Sequence, residues 1–258
     1  MSDIPYSEQS KRANLSWTTD AIFHPFRAFR RITATTVNVW LIPLALLSVA
    51  VVISVIVAGN LKHQAELTGE ITYPPDFQYY TPEQQAQFMQ AIQSTQGPVF
   101  TYVLPGITSL LGVWLGWLIL GGLVHLVTTL FGGRGSTAIS MNIVAWASLP
   151  LVLRELVQII YMLVEKKIIT SPGLSGFIMP VESGLSLFLY HLVSLIDIYL
   201  IWQILLIILG IRISMGLTKT KATASVVISI LVILLLKAGL SYLIGALGNL
   251  NITRPFFF

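Results

Sequence analysis

The chain has 258 residues, 55% of them hydrophobic and only 10% charged, with a mean hydropathy of +0.79; soluble domains carry roughly 25% charged residues, so a soluble globule is excluded. Long continuous apolar runs predict an all-α, polytopic membrane bundle, and they exclude a β-barrel, whose segments of about ten residues would alternate. The net charge of +4 is no sign of nucleic-acid binding, because basic residues orient membrane proteins, and the lack of cysteine excludes disulfides and zinc–thiolate sites.

In chain order, residues 1–36 form an N-terminal segment expected in the cytoplasm. Residues 1–20 are polar, unpatterned and expected to be disordered. Within residues 21–32, AIFHPFRAFRRI, Phe23, Phe26 and Phe29 alternate with Arg27, Arg30 and Arg31. That alternation predicts a short amphipathic helix in the headgroup plane, with Pro25 in its first turn and these six residues at the membrane interface. The first apolar run begins near Val37, too late and too long for a cleavable signal peptide. Spans are predicted at about 37–58, 100–131, 140–164, 185–211 and 222–247, making residues 37–247 one five-span membrane domain.

The loop 59–99 carries TPEQ, a helix start with Thr81 as N-cap, Pro82 at the first helical position and Gln84 reaching back, so a helix is predicted from Pro82 to about Thr95. Gly112 and Gly116 in the second span form a GxxxG pair, expected to serve internal helix packing. GGRGS, from Gly132 to Ser136, is a tight connector with neither the strand nor the Lys-Ser/Thr of a phosphate-binding loop.

Nine basic residues (Lys11, Arg12, Arg27, Arg30, Arg31, Arg134, Arg212, Lys219, Lys221) share one side, against four (Lys62, Lys166, Lys167, Arg254) on the other. This predicts a cytoplasmic N-terminus and, on the other face, the loop 59–99 and the tail 248–258.

Four ionisable residues fall at membrane depth: Arg154 and Glu155 on the third span, Asp197 in the middle of the fourth, and Lys237 on the fifth. Arg154, Asp197 and Lys237 count to similar depths of about 21–22 Å, and the four charges sum to zero. A polar network is therefore expected between spans three, four and five, with Asp197 paired to Lys237 or to Arg154. Such a network either fixes helix register or serves a proton- or ion-linked path. No pair of broken helices beside these residues is expected, which favours the first. His63, His125 and His191 lack metal-ligand spacing, and no Ser-His-Asp set or HExxH occurs, so neither metal, cofactor nor catalysis is expected. The Asn251-Ile-Thr sequon carries little weight alone.

HPFRAFRRI before the first span, the Pro-Glu-Gln loop helix, WASLPLVLREL (from Trp146), IDIYLIWQILLIILGI (from Ile196) and GLTKTKATASVV (from Gly216) together resemble the Yip domain family of Ypt/Rab-interacting membrane proteins, in its prokaryotic form. The resemblance covers most of residues 20–250 and is most specific from Asp197 to Ala222. It implies five spans, a cytoplasmic N-terminus and a non-catalytic role in membrane organisation, trafficking or assembly, in a prokaryotic plasma membrane. The lipid bilayer and a membrane-protein partner or second copy are the implied partners. The short N-terminal segment lacks an extended soluble arm, which leaves small-GTPase binding unsupported. A small transporter or channel using the four buried charges is the alternative.

Overall fold

A computed structural model describes residues 15–35, 38–67, 77–95, 97–177 and 184–253. Among these residues every regular element is helical. Residues 1–14, expected to be disordered, and the end of the chain from residue 254 lie outside the described residues.

Two short helices come first, α1 (Ser16–Phe23) and α2 (Pro25–Ala34), so residues 16–20 are helical where disorder was expected. His24 leaves the helical region at φ −130°, and Pro25, whose missing N–H costs nothing at the first position, starts α2. α3 (Leu41–Leu67) is the first span and runs well past residue 58. In the following loop α4 (Pro82–Thr95) starts on the predicted capping box. The Thr81 N–H donates to Gln84 Oε1 at 2.9 Å and the Gln84 N–H donates to Thr81 Oγ1 at 3.3 Å. The Phe88 ring stands 5.2 Å from Phe77, so α4 folds back on its own loop.

A π-helical turn, Val99–Val103, leads into α5 (Leu104–Leu130), with Pro105 in its first turn. The third span is two helices, α6 (Thr137–Ala147) and α7 (Leu149–Glu165), meeting at Ser148 just before Pro150, which has no N–H to continue the ladder. The fourth span is broken more sharply. α8 (Gly184–Ser194) and α9 (Ile198–Ser214) meet at 66°. α10 (Lys219–Thr253) closes the chain. Among the described residues four stretches are each long and apolar enough to cross a bilayer, and the bent α8–α9 pair makes a fifth if it crosses as one span. The expectation of unbroken helices beside the buried charges is therefore corrected.

A block of fully buried side chains lies at the end of the bundle where α2 sits. Phe29 and Ile32 of α2, Ile143 and Trp146 of α6, and Ile207 and Ile211 of α9 are all sealed from solvent. Gly210 makes this approach possible, since a Cβ there would stand 2.6 Å from Ile143 Cγ2 and 2.9 Å from Phe29 Cδ1.

Two residues one turn apart on α6 also hold the lead into α3. The Val39 N–H donates to Asn142 Oδ1 at 3.0 Å, and Trp146 Nε1–H donates to the Val39 carbonyl at 3.0 Å. Val39 is buried, so without these partners both of its backbone groups would lack bonds. Asn142→Leu is expected to cost about 1–3 kcal/mol, the penalty of one buried unsatisfied donor. An unchanged melting temperature in detergent micelles would refute the clamp.

Candidate functional site

Asp197 is not inside a helix. It sits in the break of the fourth span with extended backbone, φ −146° and ψ 178°, as the N-cap of α9. Its Oδ1 accepts the Leu200 N–H at 2.7 Å, and its Oδ2 accepts from Arg154 Nη1 at 3.5 Å. Arg154 Nη2 donates to Glu155 Oε1 at 3.1 Å. Of the two partners open to Asp197, Arg154 is the one taken.

The break leaves carbonyls at the end of α8 without helical partners, and the 3-10 turn Gly173–Phe177 covers them. The Leu174 N–H donates to the Ile196 carbonyl at 3.0 Å. Gly173 adopts φ +60°, and a Cβ on it would lie 2.6 Å from the Ser194 carbonyl oxygen and 2.7 Å from that of Ile196. The Tyr190 hydroxyl ties the same region back, donating to the Thr170 carbonyl at 3.3 Å.

Arg154 and Glu155 also line a partly open cavity of about 380 Å³ bounded by α3, α5, α6, α7, α9 and α10. Lys237 enters it from α10 and buried Gln203 from α9. Lys237 does not pair with Asp197. Its ammonium lies 3.7 Å from where a Cβ on Gly116 would stand, while a Cβ on Gly112 would meet nothing within 4 Å. A Cβ on either glycine would meet no backbone of another helix within 4 Å; both line the cavity, Gly116 beside the Lys237 side chain.

A second surface stands at the other functional end. Phe23 and Phe26 are 74% and 57% exposed, and Arg27, Arg30 and Arg31 are exposed with them. The Arg30 guanidinium lies 5.7 Å from the centre of the Phe26 ring, and Arg31 forms a 2.8 Å ion pair with Asp20. Phe29, expected on this face, is fully buried and points the opposite way, because it lies with Ala28 and Ile32 on the core side of α2. Sequence reasoning missed Gln203, Gly173 and Asn142. Only Gly173 carried a signal, a Pro-Gly turn dipeptide after Pro172.

Among the described residues no three of His, Asp and Glu come together as metal ligands. What the two regions can do chemically is hold charge: a cationic, partly apolar cavity inside the bundle, and a basic–aromatic face at one end.

No curated protein and no solved structure matches the chain. The family model for the Yip1 domain matches residues 19–240, from the α1–α2 pair through Lys237. A chain whose described residues form helices, four of them long and apolar enough to cross a bilayer and a bent pair making a fifth if it crosses as one span, with a match over most of its length, belongs to the Yip1 domain family of integral membrane proteins.

Proposed function

We propose that this protein is a non-catalytic membrane organiser whose α2 face gathers anionic lipid at the cytoplasmic surface. The observation that carries this is the two-sidedness of α2: Phe29 and Ile32 lock one side into the core, so Phe26, Arg27, Arg30 and Arg31 are held outward, with Phe23 exposed beside them at the end of α1. Its height fits. Phe29 packs at Gly210, four residues before the end of α9 at Ser214, which is about 6 Å along the helix axis. Interfacial helices sit about 5–10 Å into the headgroup boundary. The excess of basic residues on this side supports a cytoplasmic N-terminus.

Each arginine near an anionic surface contributes about 1 kcal/mol, with Arg31 partly engaged by Asp20. Ion conduction is not proposed, because both oxygens of Asp197 are already engaged in holding the break.

The test is energy transfer from the protein's tryptophans to a dansyl lipid in phosphatidylcholine vesicles. Transfer to dansyl-phosphatidylserine is expected to exceed transfer to dansyl-phosphatidylcholine. The excess should fall by half or more in the Arg27→Gln/Arg30→Gln/Arg31→Gln variant, and also in high salt, which screens exposed charge. Equal transfer to the two lipids by the unmodified protein would sink the proposal.

A further inference from the structure

The cavity inside the bundle is a different place from the α2 face, and its chemistry asks for a ligand. We infer that it binds the anionic head, a carboxylate or phosphate, of a single-chain amphipathic lipid.

Three observations converge. First, two cations line the cavity with donor capacity unspent. Lys237 makes no ion pair among the described residues, and Arg154 Nε is buried without a hydrogen-bond partner. Lys237 is exposed rather than sealed, so the cost of an unsatisfied buried donor falls on Arg154 Nε, which an anion held between the two groups would relieve.

Second, the balance of charge inside the cavity is positive. Arg154 and Lys237 line it against the single carboxylate of Glu155. Asp197 is not among the lining residues, and it is the N-cap of α9. The helix N-terminus there carries roughly half a positive charge and absorbs part of the carboxylate's field. Asp197 therefore holds Arg154 from behind and offsets part of its charge, which leaves Lys237 as the cation of the cavity without an ion pair among the described residues.

Third, the space suits a head and the start of a chain. About 380 Å³ lies at the lower end of small-ligand sites, too little for a whole two-chain phospholipid. Leu47 and Val51 of α3 supply an apolar wall opposite the charges. Gly112 and Gly116 would be filled by any larger residue, and their lack of side chains leaves the volume free beside Lys237.

Trp117 lines the same cavity, so a brominated lipid bound there should quench it. The full-length protein in neutral micelles would be titrated with 9,10-dibromostearate, with melting temperature followed in parallel. Saturable quenching is expected, with half-saturation raised at least tenfold in Lys237→Met. That variant should melt no earlier than the parent, since an unpaired charge has been replaced by an apolar chain. Gly116→Leu should remove the saturable component, and Gly112→Leu is a second volume probe if Gly116→Leu fails to fold.

Equal quenching by dibromostearyl alcohol, or unchanged saturation in Lys237→Met and in the glycine variants, would overturn the inference. Displacement of the quencher by millimolar inorganic phosphate would put a free anion in the cavity and overturn the lipid assignment.

Discussion

Asp197→Ala is expected to lower the melting temperature more than any other single change at the polar cluster, with Asp197→Asn falling between it and the parent. Alanine removes two interactions at once. It deletes the side-chain acceptor of the Leu200 N–H at the start of α9, worth about 1 kcal/mol. It also leaves Arg154 short of the partly buried carboxylate at 3.5 Å, a loss below the roughly 3–5 kcal/mol that breaking a fully buried pair costs. Asparagine can still cap and loses only the charge, so the gap between the two variants isolates the cap.

Arg154 and Asp197 should be strongly non-additive in a double-mutant cycle. Arg154→Leu combined with Asp197→Asn and Glu155→Gln should recover part of the loss, because no uncompensated charge from the cluster then remains. Equal melting of the Asn and Ala variants would show that the cap contributes nothing. Parent-like melting of both would show that the pair does not hold the break.

The second large effect is expected at Gly173→Ala. The residue has φ +60°, a left-handed conformation that costs an L-residue roughly 1–2 kcal/mol. The added methyl would also stand 2.6 and 2.7 Å from two backbone carbonyl oxygens, Ser194 and Ile196, which cannot swing aside as a side chain could. The turn should therefore lift off the break, exposing the Ile196 carbonyl that Leu174 now satisfies. A loss of at least about 2 kcal/mol is expected, together with faster proteolysis in the segment 168–177. Alanine tolerated without loss of stability would mean the turn does not seal the break.

Length and composition were enough to predict the helical bundle, its apolar crossings and the capped loop helix, because a run of twenty apolar residues and an S/T-x-x-E/Q start each have one dominant physical solution. The breaks were harder to read. Residues 185–211 average to one apolar run, and a single aspartate barely lowers the mean. Yet Asp197 directly precedes an apolar stretch, which is also the signature of an N-cap. The charge was legible and its geometry was not.

The glycine pair failed for a related reason. Gly112 and Gly116 could let helices touch or could hold space open, and only Lys237 across from them decides which. Phe23, Phe26 and Phe29 looked like one stripe, but the break at His24 and the 60° offset between positions three apart in a helix carry Phe29 into the core.

The broken fourth span has a consequence for biogenesis. α8 has 11 residues and α9 has 17. At 1.5 Å per residue the first cannot cross a ~30 Å hydrocarbon layer and the second barely approaches it. Neither half can settle as an independent crossing while the ribosome is still adding residues. What stabilises the junction has already been synthesised: Arg154 precedes Asp197 by 43 residues, and the sealing turn at Gly173 follows α7 and precedes α8. Synthesis from the N-terminus therefore makes both residues that hold the break before the aspartate itself, so the two half-helices can be captured as a pair. Moving the fourth span ahead of the third by circular permutation would reverse that order and present the translocon with a charged, bent segment before its receptor exists.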